Sequence, residues 1–408
     1  MAAGGTAAGS GRRVAIVDEN PTPGGQIWRG GQAQADSRQA AAWFRRAEGA
    51  GVEFLAATQV VAQPHAGVLL AETAGEARDL EYEKLIIATG ARELLLPFPG
   101  WTLPNVTGVG GLQSLVKSGL PIAGKKVAVA GSGPLLLAVA AFLRKHGADV
   151  QLIAEQAPLK PIARFGLGLF GHPAKLVQGI GYKLGLLGVR YVTSCWPARA
   201  DGDRQLESVT FRTPHKEWTV PCDYLACGFG FVPNLELASL VGCDIRHDSV
   251  QVDPWQETSI PGVYCAGEPT GIGGVDLALV EGQIAGYAAV GKKNEAAGLQ
   301  GDKEKCLRFA GSLDRAFALR DELRELATPE TIVCRCEDVT RGRLEPYESW
   351  RAAKLQTRCG MGPCQGRVCG AATDFLFGWK HESIRPPILP TRVENLARSG
   401  TLSAESDT

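Results

Sequence analysis

Five of the chain's eleven cysteines fall between residues 334 and 369, as Cys334-Arg-Cys336 and then Cys359-Gly-Met-Gly-Pro-Cys364-Gln-Gly-Arg-Val-Cys369. Thiolates are the usual protein ligands of iron–sulfur clusters, and four of them delivered by two short loops suffice for a [2Fe–2S] centre. A single residue separates the first pair, whereas zinc sites usually place two or more residues inside a pair, so the spacing favours iron–sulfur over zinc. Cys334, Cys336, Cys359 and Cys364 are the candidate ligands. The glycines beside Cys359 and Cys364 allow the backbone to bend close to a cluster and to offer it N–H donors. The competing reading, five unliganded thiols serving as small apolar residues, fits poorly with loops rich in Gly and Arg. The remaining six, Cys195, Cys222, Cys227, Cys243, Cys265 and Cys306, stand in apolar or strand-like settings and read as packing residues.

A second chemistry is written in glycine turns between strands and helices. Gly131-Ser132-Gly133 follows the apolar run Lys126 to Ala130 and precedes a helical run from Pro134 to His146. A further strand, Asp149 to Ile153, comes next, and Glu155 stands just beyond it. This is the layout of a dinucleotide-binding unit, in which the first two glycines let the backbone approach a phosphate at the helix N-terminus. Leu136 occupies the third glycine position and is expected to hold the helix away from the strand. A tight turn that binds nothing remains the alternative. Glu155 reads either as a ribose ligand or as an ordinary exposed residue at a strand end. Asp18, after the strand Arg13 to Asp18, is an acid in the position that grips a ribose hydroxyl.

The elements that must position these groups alternate β-rich and helical runs, the signature of a parallel α/β fold. Further strands are read at Lys84 to Gly90 and Gly262 to Ala266, and helices at Arg38 to Ala50 and Val280 to Val290. Apolar positions at Cys306, Ala310, Leu313 and Phe317 predict a connector helix. The fold class is thus α/β, with two dinucleotide-binding domains of FAD/NAD type and a small C-terminal cysteine-rich domain. The boundaries are 1–117 with 246–300 for the first, 118–245 for the second, 301–327 for the connector, 328–398 for the cysteine domain and 399–408 for a polar tail. With 43 basic and 43 acidic residues, the overall balance gives no electrostatic case for nucleic acid or a membrane. No run is long enough to span a bilayer. The start carries no secretory signal, which together with the cysteine content points to a reducing, cytoplasmic setting. The six histidines are scattered and read as surface or packing residues; no catalytic side-chain cluster is evident.

Five segments together resemble one family. They are Val17 to Arg29, Ile87 to Trp101, Ala130 to Ala138, Gly262 to Glu268 and the cysteine segment. As a combined pattern over about Arg12 to Gly370, they resemble the A or alpha subunits of heteromeric flavin-dependent amine and amino-acid dehydrogenases. That group includes octopine and nopaline oxidase A subunits, hydrogen cyanide synthase B subunits and proline or hydroxyproline dehydrogenase alpha subunits. The resemblance implies an FAD-type domain interrupted by an NAD-like domain and followed by a domain like bacterioferritin-associated ferredoxin. It implies an FAD-bearing beta subunit that oxidises the amine or amino acid, a small third subunit, an FMN at a subunit interface and an external electron acceptor. Carried over by position, Asp18, Gly25, Gln26, Thr89, Gly90, Gly267 and Glu268 line the first nucleotide site. Gly131, Ser132 and Gly133 line a second, for NAD or ATP.

Two departures from the family pattern carry expectations. No Gly-rich pyrophosphate loop precedes Arg13, and Met1 to Gly11 has the length of the back part of the helix that would follow one. The chain is therefore expected to open inside its first crossover helix, with Met1 an internal methionine or the mark of a truncated gene, and to hold FAD weakly. The interval from Cys336 to Cys359 is also shorter than the family's by more than a helical turn, which makes Cys369 a candidate substitute ligand. The leading reading is an electron-transferring oxidoreductase subunit. Its rivals are a stand-alone NAD(P)H:ferredoxin-type reductase and a non-catalytic nucleotide-binding scaffold.

Overall fold

The structure, a computed structural model, describes residues 1–25, 27–28, 38–380 and 384–397. Contacts divide the chain into two compact units. One holds Met1–Arg92, Pro233–Ala310 and the described part of the C-terminal stretch, 384–397; the other holds Glu93–Val232 and the chain from Gly311 to residue 380.

The second unit is built on a five-stranded parallel sheet. Its order is Arg190–Thr193, Asp149–Glu155, Lys126–Gly131, Tyr224–Gly228 and Val106–Gly108. The central strand explains the layering. Its residues alternate sides, as the two-residue strand period requires. Val127 and Val129 face the helices Val109–Lys117 and Leu135–Lys145 and pack with Leu112, Leu136, Val139 and Leu143. Ala128 and Ala130 face the opposite layer and pack with Phe98, Trp196 and Phe211. That layer carries an antiparallel meander of Trp196–Asp201, Ser208–Thr213 and Lys216–Pro221. Both faces are covered, as expected of a strand that reads as an unbroken apolar run. Leu136 is fully buried in the helix-side core, so the side chain that replaces a glycine there fills the helix–sheet interface.

The cysteine segment belongs to this same unit. It consists of a short antiparallel pair, Ile332–Cys334 with Val339–Thr340, and the helices Arg341–Leu344, Trp350–Thr357 and Cys369–Phe377. Val333, Val339, Leu344, Trp350 and Trp379 form its core. Trp101 Nε1 donates to the Ile332 carbonyl at 2.6 Å, and the Arg335 guanidinium stands 5.4 Å from the centre of the same indole. These two contacts fasten the Cys334–Cys336 loop from either side.

The first unit contains two parallel pairs, Ala15–Val17 with Glu53–Leu55 and Leu85–Ile87 with Val263–Cys265. It also holds an antiparallel meander of Gln59–His65, Val68–Glu72 and Ala77–Glu81. The helix Ala2–Ala8 packs against the helices Gly274–Ala289 and Arg38–Gly49. The stretch 384–397 lies along the meander, where Ile388 N–H donates to the Val61 carbonyl at 2.8 Å and Gln59 Nε2 donates to Pro390 O at 2.9 Å. The connector is helical over Gln300–Phe317, then a short 3-10 turn over Asp321–Glu325.

Candidate metal centre and nucleotide sites

The Sγ atoms of Cys334, Cys359 and Cys369 lie within 4.8 Å of one another, and all three residues are buried. Cys334 comes from the end of a strand, Cys359 from the turn after the helix Trp350–Thr357, and Cys369 from the first position of the next helix. Cys336 and Cys364 meet beside them as a hydrogen-bonded thiol pair, with Cys336 exposed and Cys364 half-buried. Of the four sequence-predicted ligands, Cys334 and Cys359 are grouped with Cys369, while Cys336 and Cys364 form a separate pair outside that group.

Two glycines make this convergence possible. A Cβ at Gly362 would stand 2.3 Å from Cys336 Cβ, and one at Gly360 would stand 2.5 Å from the Trp350 ring. Backbone without side chains is what lets the second loop close over the first. Gly360 N–H donates to Cys334 Sγ at 3.4 Å, the kind of amide-to-sulfur bond that stabilises a liganded thiolate.

The electrostatics of the group fit a cation. Hydrogen bonds from the Cys359 and Cys369 thiols, outweighing burial, hold Cys334 down to about 2. Sharing with Cys334 pushes Cys359 up to about 12, and Cys369 is raised further by both neighbours and by burial. Three thiols this close cannot all ionise by themselves, because like charges in a buried site repel. Bound iron would remove that obstacle, since coordinating thiols are deprotonated outright.

The residues expected at a first nucleotide site leave from the ends of two separate parallel strand pairs of the first unit. Leu85–Ile87 and Val263–Cys265 run in register, Ile87 opposite Cys265, so Thr89, Gly90, Gly267 and Glu268 all leave from the same sheet end. Thr89 Oγ1 donates to the Asn234 carbonyl at 2.6 Å, and Asn234 returns a bond to Thr89 O at 2.9 Å. The Glu268 carboxylate accepts from the amides of Gly273 and Gly274, each at 3.0 Å, at the N-terminus of the helix Gly274–Ala289. Gly267 N–H donates to the buried Glu281 carboxylate at 2.9 Å. Asp18 follows the strand Ala15–Val17 and accepts from the backbone and side-chain nitrogens of Asn20. Gly25 and Gly90 adopt positive φ, +62° and +68°. Gln26 lies outside the described residues.

At the second site, Gly131 and Gly133 turn the chain from strand to helix as the motif predicts. Gly131 must be glycine, since a Cβ there would sit 1.8 Å from the Gly228 carbonyl oxygen. In front of Gly133 a Cβ would meet nothing within 4 Å, so there is open space at the position a phosphate would take. Its amide is already engaged, however. The Glu155 carboxylate accepts from Gly133 N at 2.8 Å and from Ala157 N at 2.9 Å. Glu155 is only 1 % exposed, which corrects the reading of an ordinary surface residue at a strand end. Burial raises its carboxyl to about 7 against those two amides, which favour the charged form.

Gln156, unremarked in the sequence, turns out to be the organiser of this corner. Its Nε2 donates to Ser132 Oγ at 2.9 Å and to Ala318 O at 3.0 Å, and its Oε1 accepts from Arg320 N at 3.1 Å. Ser132 Oγ donates to Phe317 O at 2.8 Å. The segment after the connector helix is thereby tied across the Gly131–Gly133 turn. The residues that could have announced this, an amide side chain after a strand-end acid, carry no distinctive spacing. Five of the six cysteines read as packing residues are buried, and Cys306 is half-buried.

A parallel sheet with glycine turns at its strand ends, a second strand pair of the same type and a buried thiol group define an α/β oxidoreductase. The chain belongs to the pyridine nucleotide-disulphide oxidoreductase family, whose sequence pattern matches residues 1–282. Hydrogen cyanide synthase subunit HcnB of Pseudomonas aeruginosa is 31 % identical over 403 residues, covering 88 % of this chain and 87 % of that protein. The opine oxidase A subunit of Rhizobium meliloti is 31 % identical over an alignment of 445 residues, covering 97 % and 96 %. Among solved structures, L-proline dehydrogenase from P. horikoshii shares the fold with a TM-score of 0.62 at 17 % identity, over 97 % of this chain and 78 % of that one. Thioredoxin reductase of T. acidophilum shares it with a TM-score of 0.53 at 20 % identity, over 74 % of this chain and 94 % of that one.

Proposed function

We propose that this oxidoreductase is the electron-transferring subunit of a heteromeric flavin-dependent amine or amino-acid dehydrogenase, and that its cysteine group holds a [2Fe–2S] cluster. The observation that carries the reading is the buried group of three thiols, Cys334, Cys359 and Cys369, within 4.8 Å of one another, with Cys336 and Cys364 paired to each other by a hydrogen bond. When bound, such a cluster accepts and releases single electrons. The protein's part is to fix the ligands, limit water and set the potential through donors such as the Gly360 amide.

A [2Fe–2S] centre needs two thiolate pairs. Cys336 with Cys364 supplies one, and Cys334 with either Cys359 or Cys369 supplies the other. The set Cys334, Cys336, Cys359 and Cys364 meets that requirement, and so does the set with Cys369 in place of Cys359. The second set lengthens the interval between the two sequence pairs by five residues, which brings it closer to the longer spacing the resemblance implies.

The first nucleotide site, with Asp18, Gly25, Gln26, Thr89, Gly90, Gly267 and Glu268, is assigned to FAD. Gly131, Ser132 and Gly133 are assigned to an adenine nucleotide, NAD or ATP, held structurally rather than as a hydride carrier. The open space at Gly133 supports this, and the Glu155 contact and the tied segment 317–320 argue against rapid nucleotide exchange. An FAD-bearing beta subunit would oxidise the substrate. An FMN at the interface between subunits and a small third polypeptide would complete the assembly.

The test is chemical analysis with a visible spectrum of protein co-expressed with its neighbouring gene products. Iron and acid-labile sulfide in equal amounts, with broad thiolate-to-iron absorption, are expected. Stoichiometric zinc without sulfide would sink the assignment.

A further inference from the structure

The chain from Leu159 to Gly185 forms two helices, Leu159–Gly168 and Pro173–Gly185, joined by a 3-10 turn. Not one residue of either helix is buried. On a helix that borders a folded core, the solvent side should be polar. Here it is apolar. Leu159, Leu167, Phe170, Val177, Leu184 and Leu187 are between 61 % and 73 % exposed. The positions follow helical periodicity: 159, 163 and 167 share one face of the first helix, with Phe170 in the 3-10 turn after it, and 177, 180 and 184 share one face of the second, with Leu187 just past its end. The residues between them that turn inward, among them Ile162, Phe165 and Leu176, are half-buried. Each helix is therefore apolar on both sides, and a free-standing soluble chain gains nothing from the outer one.

The charges that this segment itself carries have one sign. From Gln156 to Ala200 there is no Asp or Glu, in a chain that otherwise carries 43 acids in 408 residues. Lys160 and Arg164 flank the outer stripe of the first helix, one turn apart, and Lys183 flanks that of the second. None of the three forms an ion pair among the described residues. The equal totals of acid and base in the whole chain conceal this local excess.

We propose that the helical hairpin 159–187 is a membrane-surface anchor that lays its outer apolar face into the headgroup region of an anionic bilayer. The chemistry is that of interfacial helices: apolar side chains enter the acyl boundary, lysine and arginine stems lie along it and their heads meet lipid phosphates. A protein partner fits less well. The segment contributes cations and no acid of its own, which complements an anionic lipid surface directly, whereas a protein partner would have to supply the matching acids. No described helix is long and apolar enough to cross a membrane, so the attachment is peripheral. The inference stands apart from the cluster assignment, because it uses none of the cysteines.

The test is co-sedimentation of the full chain, with whatever partner chains co-purify, on vesicles of phosphatidylcholine alone and of phosphatidylcholine with phosphatidylglycerol. Binding to the anionic vesicles is expected to be about tenfold stronger or more, and to weaken with added salt. The double variant L167S/F170S should lose most of the binding while keeping the thermal midpoint, since both side chains are already in water. Should it unfold, K160E/K183E, which changes exposed charges only, carries the test and should abolish the preference for anionic lipid. Absence of binding to either vesicle overturns the proposal. So does a result in which L167S/F170S releases a co-purifying protein and leaves vesicle binding unchanged, which would make the face a protein interface.

Discussion

Cys336 is the thiol that separates a cluster ligand from a packing residue. It is exposed, unlike the buried Cys334, Cys359 and Cys369, so replacing it tests the proposed ligand role without opening a cavity. Cys336→Ser is expected to lose the iron and the visible absorption while the thermal midpoint of the α/β body shifts little. Cys359→Ser and Cys369→Ser should differ from each other: one retains iron and sulfide and the other does not, and the variant that loses them names the fourth ligand. Glu155 gives a prediction in pH. Its carboxyl is raised from 4.5 to about 7 by burial, so the folded state binds this proton more tightly than the unfolded chain. That contribution to stability is full below about pH 4.5, falls as the pH rises and is gone above about 7, a change on the order of 3 kcal/mol. Chemical denaturation from pH 5 to 8 should show the decline in the wild type, and Glu155→Gln should flatten it.

At the scale of elements, the turns decide what approaches what. Gly362→Ala would drive a methyl group into Cys336 Cβ. The two cysteine loops must then separate, and iron content should fall severalfold although no ligand has been touched. The Gly131–Gly133 turn makes the opposite prediction. Gly133→Ala places a methyl group in open space, at the cost of a φ of +99° that alanine disfavours. Bound adenine nucleotide, measured after heat release from purified protein, should drop sharply while folding survives. Gln156 links three segments through one amide group. Gln156→Ala removes its bonds to Ser132, Ala318 and Arg320, half-buried or exposed partners, each worth about 1 kcal/mol net. Its unfolding midpoint should fall, and proteolysis near residues 317–320 should accelerate.

For the whole molecule, the two relatives that align along most of the chain are each named as one component of a synthase or an oxidase. Among the described residues, the groups brought together are thiols, strand-end glycines and carboxylates, none of which makes an amine-oxidising site by itself. On the proposed function, activity is expected in a complex. Co-expression with the neighbouring gene products should yield a co-purifying assembly that reduces a dye with an amine or imino acid, and the isolated chain should not. A fully active monomer would contradict the assignment. Should the isolated chain oxidise NADH rapidly and stoichiometrically, the reductase reading would replace it.

Local rules were enough to read the strands, turns and helices that carry the chemistry. The apolar run Lys126 to Ala130, the glycines that follow it and the helical spacing after Pro134 each depend only on near neighbours, and they form the strand Lys126–Gly131 and the helix Leu135–Lys145. The grouping of cysteines into two loops was legible for the same reason. Which thiols meet was not, because that depends on how distant segments pack. Cys369 joins Cys334 and Cys359 because a helix begins there and turns its first side chain inward, a consequence of how Trp350 and Trp379 close the small core. Glu155 faces a glycine amide rather than solvent for a similar reason, since its burial depends on a strand, a turn and the segment beyond residue 317. The exposed apolar face of 159–187 was likewise hidden: its residues look like core in the sequence, and only the surrounding elements reveal that nothing in the described chain covers them.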